Sequence, residues 1–223
     1  MIGLILKLSY NSIGDSNIVG GICGTFFLLQ VKKAITAKHV LNKAQFRPND
    51  GFTKCQFWLI IEPNYIFELQ KEYLKEYAEL DTTIIELKVP YLGMIRNISP
   101  KNSLIGDKCQ NEGFIAGEMP NLNIQWGQQG LEISSCHYTG TNATAIGFVK
   151  STPRITIDAN DIKIKNISGI ETSYGGVIGM SGGPLIDTQT NEIIGMMSLG
   201  LPVDLKDKKS IFAVSIIEIM NKV

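Results

Sequence analysis

The chain of 223 residues is long enough for one large domain or for two small ones that share a core. Its 21 basic residues balance 21 acidic ones, and no basic block is interleaved with aromatic residues, so the composition excludes nucleic acid as the main partner. No apolar run reaches the roughly 18–20 residues that cross a bilayer, so no membrane partner is expected.

Most of the sequence predicts short β-strands. The apolar N-terminus contains Lys7 and no small-residue cleavage site, so we predict a first strand there rather than a secretion signal. Further along, segments rich in β-branched and aromatic residues alternate with Gly, Asn, Asp and Pro, a pattern typical of all-β barrels and sandwiches. The predicted strands are residues 3–10, 24–30, 32–37, 55–62, 82–88, 113–118, 130–138, 143–149, 154–159 and 192–198.

Two segments interrupt the strand pattern and predict helices. Residues 66–80 carry apolar side chains at helical spacing, so we expect an amphipathic helix that packs on the barrel; the alternative is that its exposed side forms a docking surface. The apolar stripe consists of Ile66, Leu69, Tyr73, Tyr77 and Leu80. Residues 213–223 predict a closing helix with Ile216, Ile217 and Met220 facing inward.

The four cysteines are scattered through the chain. None belongs to a Cys-x-x-Cys pair, so neither a metal site nor a cofactor is predicted. Buried free thiols are the expected state, which points to a reducing compartment and a cytoplasmic location. The cysteines are Cys23, Cys55, Cys109 and Cys136.

Residues 177–187, VIGMSGGPLID, hold a serine among glycines. Glycine weakens helices and strands, and Pro184 lacks a backbone donor, so this run predicts a loop. One interpretation is an ordinary surface turn. The other is a nucleophile, Ser181, on a tight loop whose free N–H groups receive an oxyanion. The second interpretation requires a base and an orienting acid elsewhere in the chain.

The chain contains two histidines that could serve as the base. His39 follows the end of a small-residue strand in AITAKHVL, and Asp81 begins the alternating strand LDTTIIELKV. Each of them alone also has a structural explanation, since histidines often follow strands and aspartates often cap turns. His137 stands beside Cys136 in a polar strand, and we predict a structural role for it.

Three sequence blocks, in the order His, Asp, Ser, resemble the trypsin-like (chymotrypsin-fold) serine proteases. The blocks are GTFFLLQVKKAITAKHVL, LDTTIIELKV and GMSGGPLIDTQTNEIIGMMSLG. The separations, 42 residues from position 39 to 81 and 100 residues from 81 to 181, are similar to those of the family. The resemblance implies two antiparallel six-stranded β-barrels in one peptidase domain, residues 1–110 and 111–223, with a short C-terminal helix. The active site would lie in the cleft between the barrels.

The resemblance also implies a reaction, the cleavage of peptide bonds in a protein or peptide substrate through an acyl-enzyme. His39 is then the general base and acid, Asp81 fixes its tautomer, and Ser181 is the nucleophile. The N–H groups of Gly179 and Ser181 form the oxyanion hole, in which one donor is worth about 3 kcal/mol.

The chain departs from the secreted digestive members of the family. Residues 18–21 read IVGG, the letters that begin mature trypsin, but Met180 replaces the aspartate that binds the new amine, so we reject this activation. Packing, substrate or a partner protein must order the oxyanion loop instead, and we expect a regulated enzyme with an activating partner. Val40 is not a cysteine, so Cys23 lacks its family disulfide, which is typical of bacterial-type intracellular trypsin-like peptidase domains.

The substrate pocket is predicted from positions that the resemblance assigns to it. Its floor has a glycine where trypsin has an aspartate, and residues 198–200 resemble the strand that pairs with the substrate backbone. A roomy, uncharged pocket favours an apolar side chain; the alternative is a basic one, selected by Asp204 or Asp207. The predicted pocket residues are Gly175, Gly176, Ser198, Leu199 and Gly200.

Two other functions remain open from the sequence. A catalytically silent module with this fold would only bind extended peptides or a partner protein, but the intact set of His39, Asp81 and Ser181 argues against it. An esterase or another hydrolase with the same three residues ranks last, because the three blocks match proteases.

Overall fold

The computed structural model describes residues 1–42, 46–61, 63–138, 141–159, 162–200 and 210–223. Two seven-stranded antiparallel sheets dominate this part of the chain, which confirms the predicted all-β class. In chain order the strands are β1 (Ile2–Tyr10), β2 (Val19–Gln30), β3 (Lys33–Ala37), β4 (Lys54–Ile61), β5 (Tyr65–Leu69), β6 (Leu74–Tyr77), β7 (Thr82–Glu86), β8 (Lys108–Phe114), β9 (Asn121–Trp126), β10 (Leu131–His137), β11 (Asn142–Ser151), β12 (Arg154–Ala159), β13 (Ile162–Thr172), β14 (Pro184–Asp187), β15 (Ile193–Gly200) and β16 (Ile211–Ser215). One short helix, α1 (Ile216–Met220), follows.

The first sheet has the strand order β5-β4-β1-β2-β3-β7-β6. Its strand β1 is buried on both faces, because successive side chains of a strand point to opposite sides. Ile5 packs into the main core, whereas Leu4, Leu6 and Leu8 pack into a second cluster on the other face. This double burial explains why the N-terminus reads as a nearly continuous apolar run.

The second sheet has the order β11-β8-β14-β15-β16-β13-β12, and β11 also pairs with β13. That additional pairing closes six of the strands into a ring, and β12 extends the sheet from β13. The first sheet ends at Glu86 and the second begins at Lys108, so the predicted division after residue 110 falls within β8.

The hairpin of β9 and β10 connects the two halves. It lies between β8 and β11 in the chain, yet Leu131 and Ile133 pack into the same cluster as the outer face of β1. Gln56 of β4 accepts a hydrogen bond from the Leu131 N–H at 2.8 Å, and the Tyr10 and Trp126 rings meet edge to face at 5.1 Å. A segment of the second half therefore covers the first sheet.

The predicted helix over residues 66–80 is wrong. Its first part is β5, which pairs with β4 and buries Phe67 and Leu69 on one face, and its later part is β6, which pairs with β7. Two 3-10 turns, Lys71–Tyr73 and Ala78–Leu80, occupy the remainder. Tertiary strand pairing outweighs the local 3.6-residue pattern here, because aromatic and β-branched side chains fit a pleated, half-buried surface.

The closing helix is shorter than predicted, since residues 213–215 belong to β16 and α1 covers only Ile216–Met220. Ile216 faces inward as predicted, but Ile217 is only partly buried and Met220 is exposed. The side chain that completes the inner face is Ile219. Within the described ranges, no helix has the length and apolar character needed to cross a bilayer.

Candidate active site

Strand pairing brings His39 and Asp81 together. The antiparallel strands β3 and β7 end their register at Ala37 opposite Thr82, so the chain just beyond β3 lies beside the residue just before β7. His39 occupies the 3-10 turn Lys38–Leu41, and Asp81 ends another such turn in a left-handed conformation, with φ of 47°. A further bond from the Lys38 N–H to the Asp81 carbonyl, at 2.8 Å, fixes the two turns against each other.

The Asp81 carboxylate is buried, with 1% of its side chain exposed. Its Oδ2 lies 2.7 Å from His39 Nδ1, and its Oδ1 accepts the His39 backbone N–H at 3.0 Å. This arrangement holds the imidazole with Nδ1 toward the acid and leaves Nε2 as the atom that could take a proton. The His39 side chain remains 24% exposed, so it can meet a substrate.

Ser198 contributes a third hydrogen bond to the same carboxylate. The sequence does not predict this contact. Its Oγ donates to Asp81 Oδ2 at 2.5 Å, and the residue is 2% exposed. The sequence predicts Ser198 as part of the strand that pairs with substrate. The side chain belongs to the His39–Asp81 arrangement, whereas its backbone lies in β15 with Leu199 and Gly200. A serine 117 residues away in sequence offers no local signal for such a contact.

The loop that carries Ser181 lies against the first sheet. The Ser181 carbonyl accepts the Thr25 N–H at 3.0 Å, and Gly182 donates its N–H to the Met197 carbonyl at 2.8 Å. Gly182 has φ of +83°, and a methyl group there would overlap the Thr25 carbonyl oxygen and the Thr36 hydroxyl. Only glycine fits this close backbone approach. The structure therefore places the Ser181 loop on β2 and β3, next to the turn that holds His39.

Gly179 lies at a turn whose two peptide planes are both anchored. It is buried with φ of +103°, and a methyl group on it would lie 2.5 Å from the Phe114 carbonyl oxygen. The Ile178 carbonyl accepts the Ala116 N–H at 2.8 Å, and the Gly179 carbonyl accepts the Thr25 hydroxyl at 2.8 Å. Because a trans peptide points its N–H and C=O in opposite directions, the Gly179 N–H points away from Ala116.

Met180 occupies an apolar pocket below this loop. It is 1% exposed and forms a buried cluster with Met197 and Ile211. Residues 19–21 of the IVGG stretch lie in β2, paired with Ser9, Leu8 and Lys7 of β1. The structure thus holds this stretch in a sheet and places Met180 in an apolar cluster, where its Sδ accepts the Val177 N–H at 3.4 Å.

The predicted pocket residues lie on two adjoining segments. Gly175 is half-buried and Gly176 exposed in the chain leading to Gly179, while Leu199 and Gly200 end β15 opposite β16. A methyl group on Gly176 would lie 2.7 Å from Met197 Cε and 2.9 Å from Ile211 Cδ1, so apolar side chains stand directly behind it. The alternative selectors, residues 204 and 207, lie outside the described residues.

The remaining candidates lie apart from this arrangement. His137 is in β10, opposite Asn121 of the hairpin. None of the four cysteines forms a disulfide. Burial raises the pKa of the Cys23 thiol to about 12 and that of Cys109 to about 11, so both thiols stay protonated at neutral pH.

The fold and this arrangement define a class: the chain has the fold of the trypsin-like serine proteases. No family model matches the sequence, and no curated protein matches it closely. Among solved structures it is similar to the Rv3671c protease of M. tuberculosis in its active form, with a TM-score of 0.61 and 14% identity over 98% of this chain and 78% of that one. An inactive mutant form of Rv3671c has the same TM-score and identity, and the match covers 98% of this chain and 83% of that one. The serine endoprotease of Yersinia pestis has a TM-score of 0.55 and 17% identity, and this chain spans 60% of it.

Proposed function

We propose that this protein is a serine endopeptidase that uses His39, Asp81 and Ser181. The observation that carries the proposal is the buried Asp81 carboxylate, which accepts hydrogen bonds from the ring and backbone of His39 and from Ser198. A buried carboxylate in contact with one imidazole nitrogen is the arrangement that lets the other nitrogen act as a base.

The proposed reaction has two steps. Ser181 Oγ attacks the carbonyl carbon of the substrate while its proton moves to His39 Nε2, and the N–H groups of Gly179 and Ser181 receive the oxyanion. Collapse of this intermediate breaks the C–N bond, and His39 gives its proton to the leaving amine. Water, activated by the same imidazole, then hydrolyses the acyl-enzyme and restores the serine.

The proposed substrate is an extended peptide segment of a specific protein. Residues 198–200 would pair with its backbone by strand addition. Met197 and Ile211 behind Gly176 support a pocket for an apolar side chain. Selection of a basic side chain by Asp204 or Asp207 is the alternative, and cleavage of a peptide library decides between them. Four cysteines without a disulfide support a cytoplasmic site of action.

The sequence leaves three ways of ordering the oxyanion loop: internal packing, bound substrate or an activating partner. The anchored peptide planes around Gly179 and the buried Met180 side chain support internal packing. We therefore expect activity of the purified protein alone. Activity that appears only after addition of a cell extract would support the activating partner.

The test is labelling of the purified protein by a fluorophosphonate probe, which reacts with activated serines. Wild type and the control Ser12→Ala, at an exposed serine, should be labelled, whereas Ser181→Ala and His39→Ala should not. Labelling that survives in Ser181→Ala would refute the assignment of the nucleophile. A folded wild type that stays unlabelled and cleaves no peptide would favour the second candidate, a catalytically silent module that binds peptides. Turnover of esters but not of peptides would favour an esterase.

A further inference from the structure

The contacts between the first sheet and the loop of Ser181 converge on one buried residue, Thr25 of β2. Its side chain is 0% exposed. Its hydroxyl lies 2.8 Å from the Gly179 carbonyl oxygen and 3.0 Å from the Phe114 nitrogen, and its own N–H donates to the Ser181 carbonyl at 3.0 Å. The Thr25 carbonyl in turn accepts the Thr36 hydroxyl at 2.7 Å. Every polar group of Thr25 thus has a partner.

The direction of each hydrogen bond follows from the chemistry of the partners. The Phe114 N–H can only donate, so the Thr25 hydroxyl accepts there. A carbonyl can only accept, so the single hydroxyl hydrogen points to the Gly179 oxygen. With no exposed surface at Thr25, water is not at hand to replace either bond, and a buried carbonyl without a donor is unfavourable.

Gly179 can change its conformation more easily than a residue with a side chain, because glycine populates more of the backbone dihedral space. On one side of it, the Ala116 N–H holds the Ile178 carbonyl. On the other side, the Thr25 hydroxyl holds the Gly179 carbonyl. Rotation of the first peptide plane would turn the Gly179 N–H away from the substrate. The second plane carries the Met180 N–H and lies between the two proposed donors, so its rotation would change the dihedral angles that orient the N–H groups of Gly179 and Ser181.

We propose that Thr25 is a positioning residue for the oxyanion hole. Its hydroxyl anchors the peptide between Gly179 and Met180 to β2, and because this peptide joins the two donors, it keeps the N–H groups of Gly179 and Ser181 directed at the substrate. This inference rests on the proposed protease function. It gives the first sheet a role in ordering the oxyanion loop, in which Met180 cannot form the ion pair of the digestive enzymes.

The test compares Thr25→Val with Thr25→Ser. Valine keeps the shape of threonine but removes the hydroxyl, whereas serine keeps the hydroxyl. A matched control is Tyr138→Phe, which also deletes a hydroxyl bond to a backbone carbonyl, that of Ile60 at 2.7 Å, outside the oxyanion loop. Each variant is assayed for kcat and KM on a cleaved peptide and for thermal unfolding.

A displaced oxyanion donor affects the transition state more than the bound substrate. Loss of one such donor lowers kcat about 10²- to 10³-fold, and Thr25 acts on the donors indirectly, so we expect Thr25→Val to lower kcat about 10- to 100-fold. KM should change less than about twofold, and Thr25→Ser should regain most of the rate. Tyr138→Phe should keep kcat even if its melting temperature falls as far as that of Thr25→Val.

Hydrogen exchange provides a readout that does not need turnover. The N–H groups of Met180, Gly182 and Gly183 are all bonded within the loop or to β15, at 3.2, 2.8 and 2.9 Å. They should exchange faster in Thr25→Val than in wild type, Thr25→Ser or Tyr138→Phe.

The outcomes separate the two proposals. An active wild type with unchanged kcat and unchanged exchange in Thr25→Val would overturn the role of Thr25 and leave the protease proposal standing. An inactive wild type whose loop exchanges faster in Thr25→Val would overturn the protease proposal and support the anchoring by Thr25. An inactive wild type with unchanged exchange would overturn both.

Discussion

Removal of the Ser198 hydroxyl tests whether the third hydrogen bond to Asp81 serves the catalytic arrangement. The Asp81 carboxylate is 1% exposed, and its Oδ2 accepts both His39 Nδ1 and Ser198 Oγ. In Ser198→Ala, Asp81 Oδ2 loses the hydrogen bond from the serine and keeps only the one to the His39 imidazole. A hydrogen bond to a charged group is worth about 1.5–3 kcal/mol, and 1.36 kcal/mol corresponds to a factor of ten in rate. We therefore expect kcat to fall about 10- to 150-fold.

This loss should remain smaller than that of Asp81→Asn, because the wrong histidine tautomer costs a serine triad about 10⁴-fold in kcat. The assay is steady-state cleavage of one peptide by wild type, Ser198→Ala and Asp81→Asn. The matched control is Ser9→Ala, which removes a buried hydroxyl of β1 that accepts the Asn49 N–H at 3.1 Å. A change in KM alone would refute the reasoning and support a role of Ser198 in the substrate-binding strand only. Unchanged kinetics would also refute it.

Three further predictions concern the loop, the thiols and acid stability. Gly182→Ala should abolish fluorophosphonate labelling, because φ is +83° and the methyl group would overlap β2 and β3; normal labelling would show that the loop does not lie on the first sheet. At pH 8 a thiol-reactive dye should leave Cys23 and Cys109 unmodified in the native protein, since burial raises their pKa to about 12 and about 11. After denaturation the dye should react with all four thiols. The pKa of Glu218 lies below its usual value of 4.5 because Ser168 donates hydrogen bonds to it. Its stabilising effect is therefore present above that value and lost as pH falls through the lower, folded-state pKa. The melting temperatures of wild type and Glu218→Gln should differ near pH 6 and converge in acid, and a constant difference would contradict this.

The residues of the candidate site could be predicted because the sequence around each of them allows few structural roles. A serine among glycines and a proline cannot continue a helix or a central strand, and a histidine and an aspartate at strand ends in the same order resemble the protease blocks. Their roles in catalysis stay predictions. The structure adds that His39 and Asp81 are joined by two hydrogen bonds and that the Ser181 loop packs on β2 and β3.

The segment 66–80 shows where local pattern fails. Its apolar residues satisfy a helical period, but β4 and β7 offer backbone partners and a half-buried surface, so the segment pairs as β5 and β6. Periodicity reports only which residues share a face of an isolated element, and it carries no information about an unpaired neighbouring strand. The shortened α1 has the same origin, since residues 213–215 are drawn into β16.

By itself the amino-acid sequence determined the all-β class, the spacing of strands and turns, and the three residues with which a protease would act, because these depend on local composition and on a recognisable order of blocks. Only the tertiary structure decided which hydroxyl groups support them. Thr25 and Gly179 are 154 residues apart, and Ser198 and Asp81 are 117 apart. In both contacts a strand residue meets a turn that is distant in sequence, so the contact depends on how the sheets pack, and a hydrogen bond is formed or lost over a few tenths of an ångström.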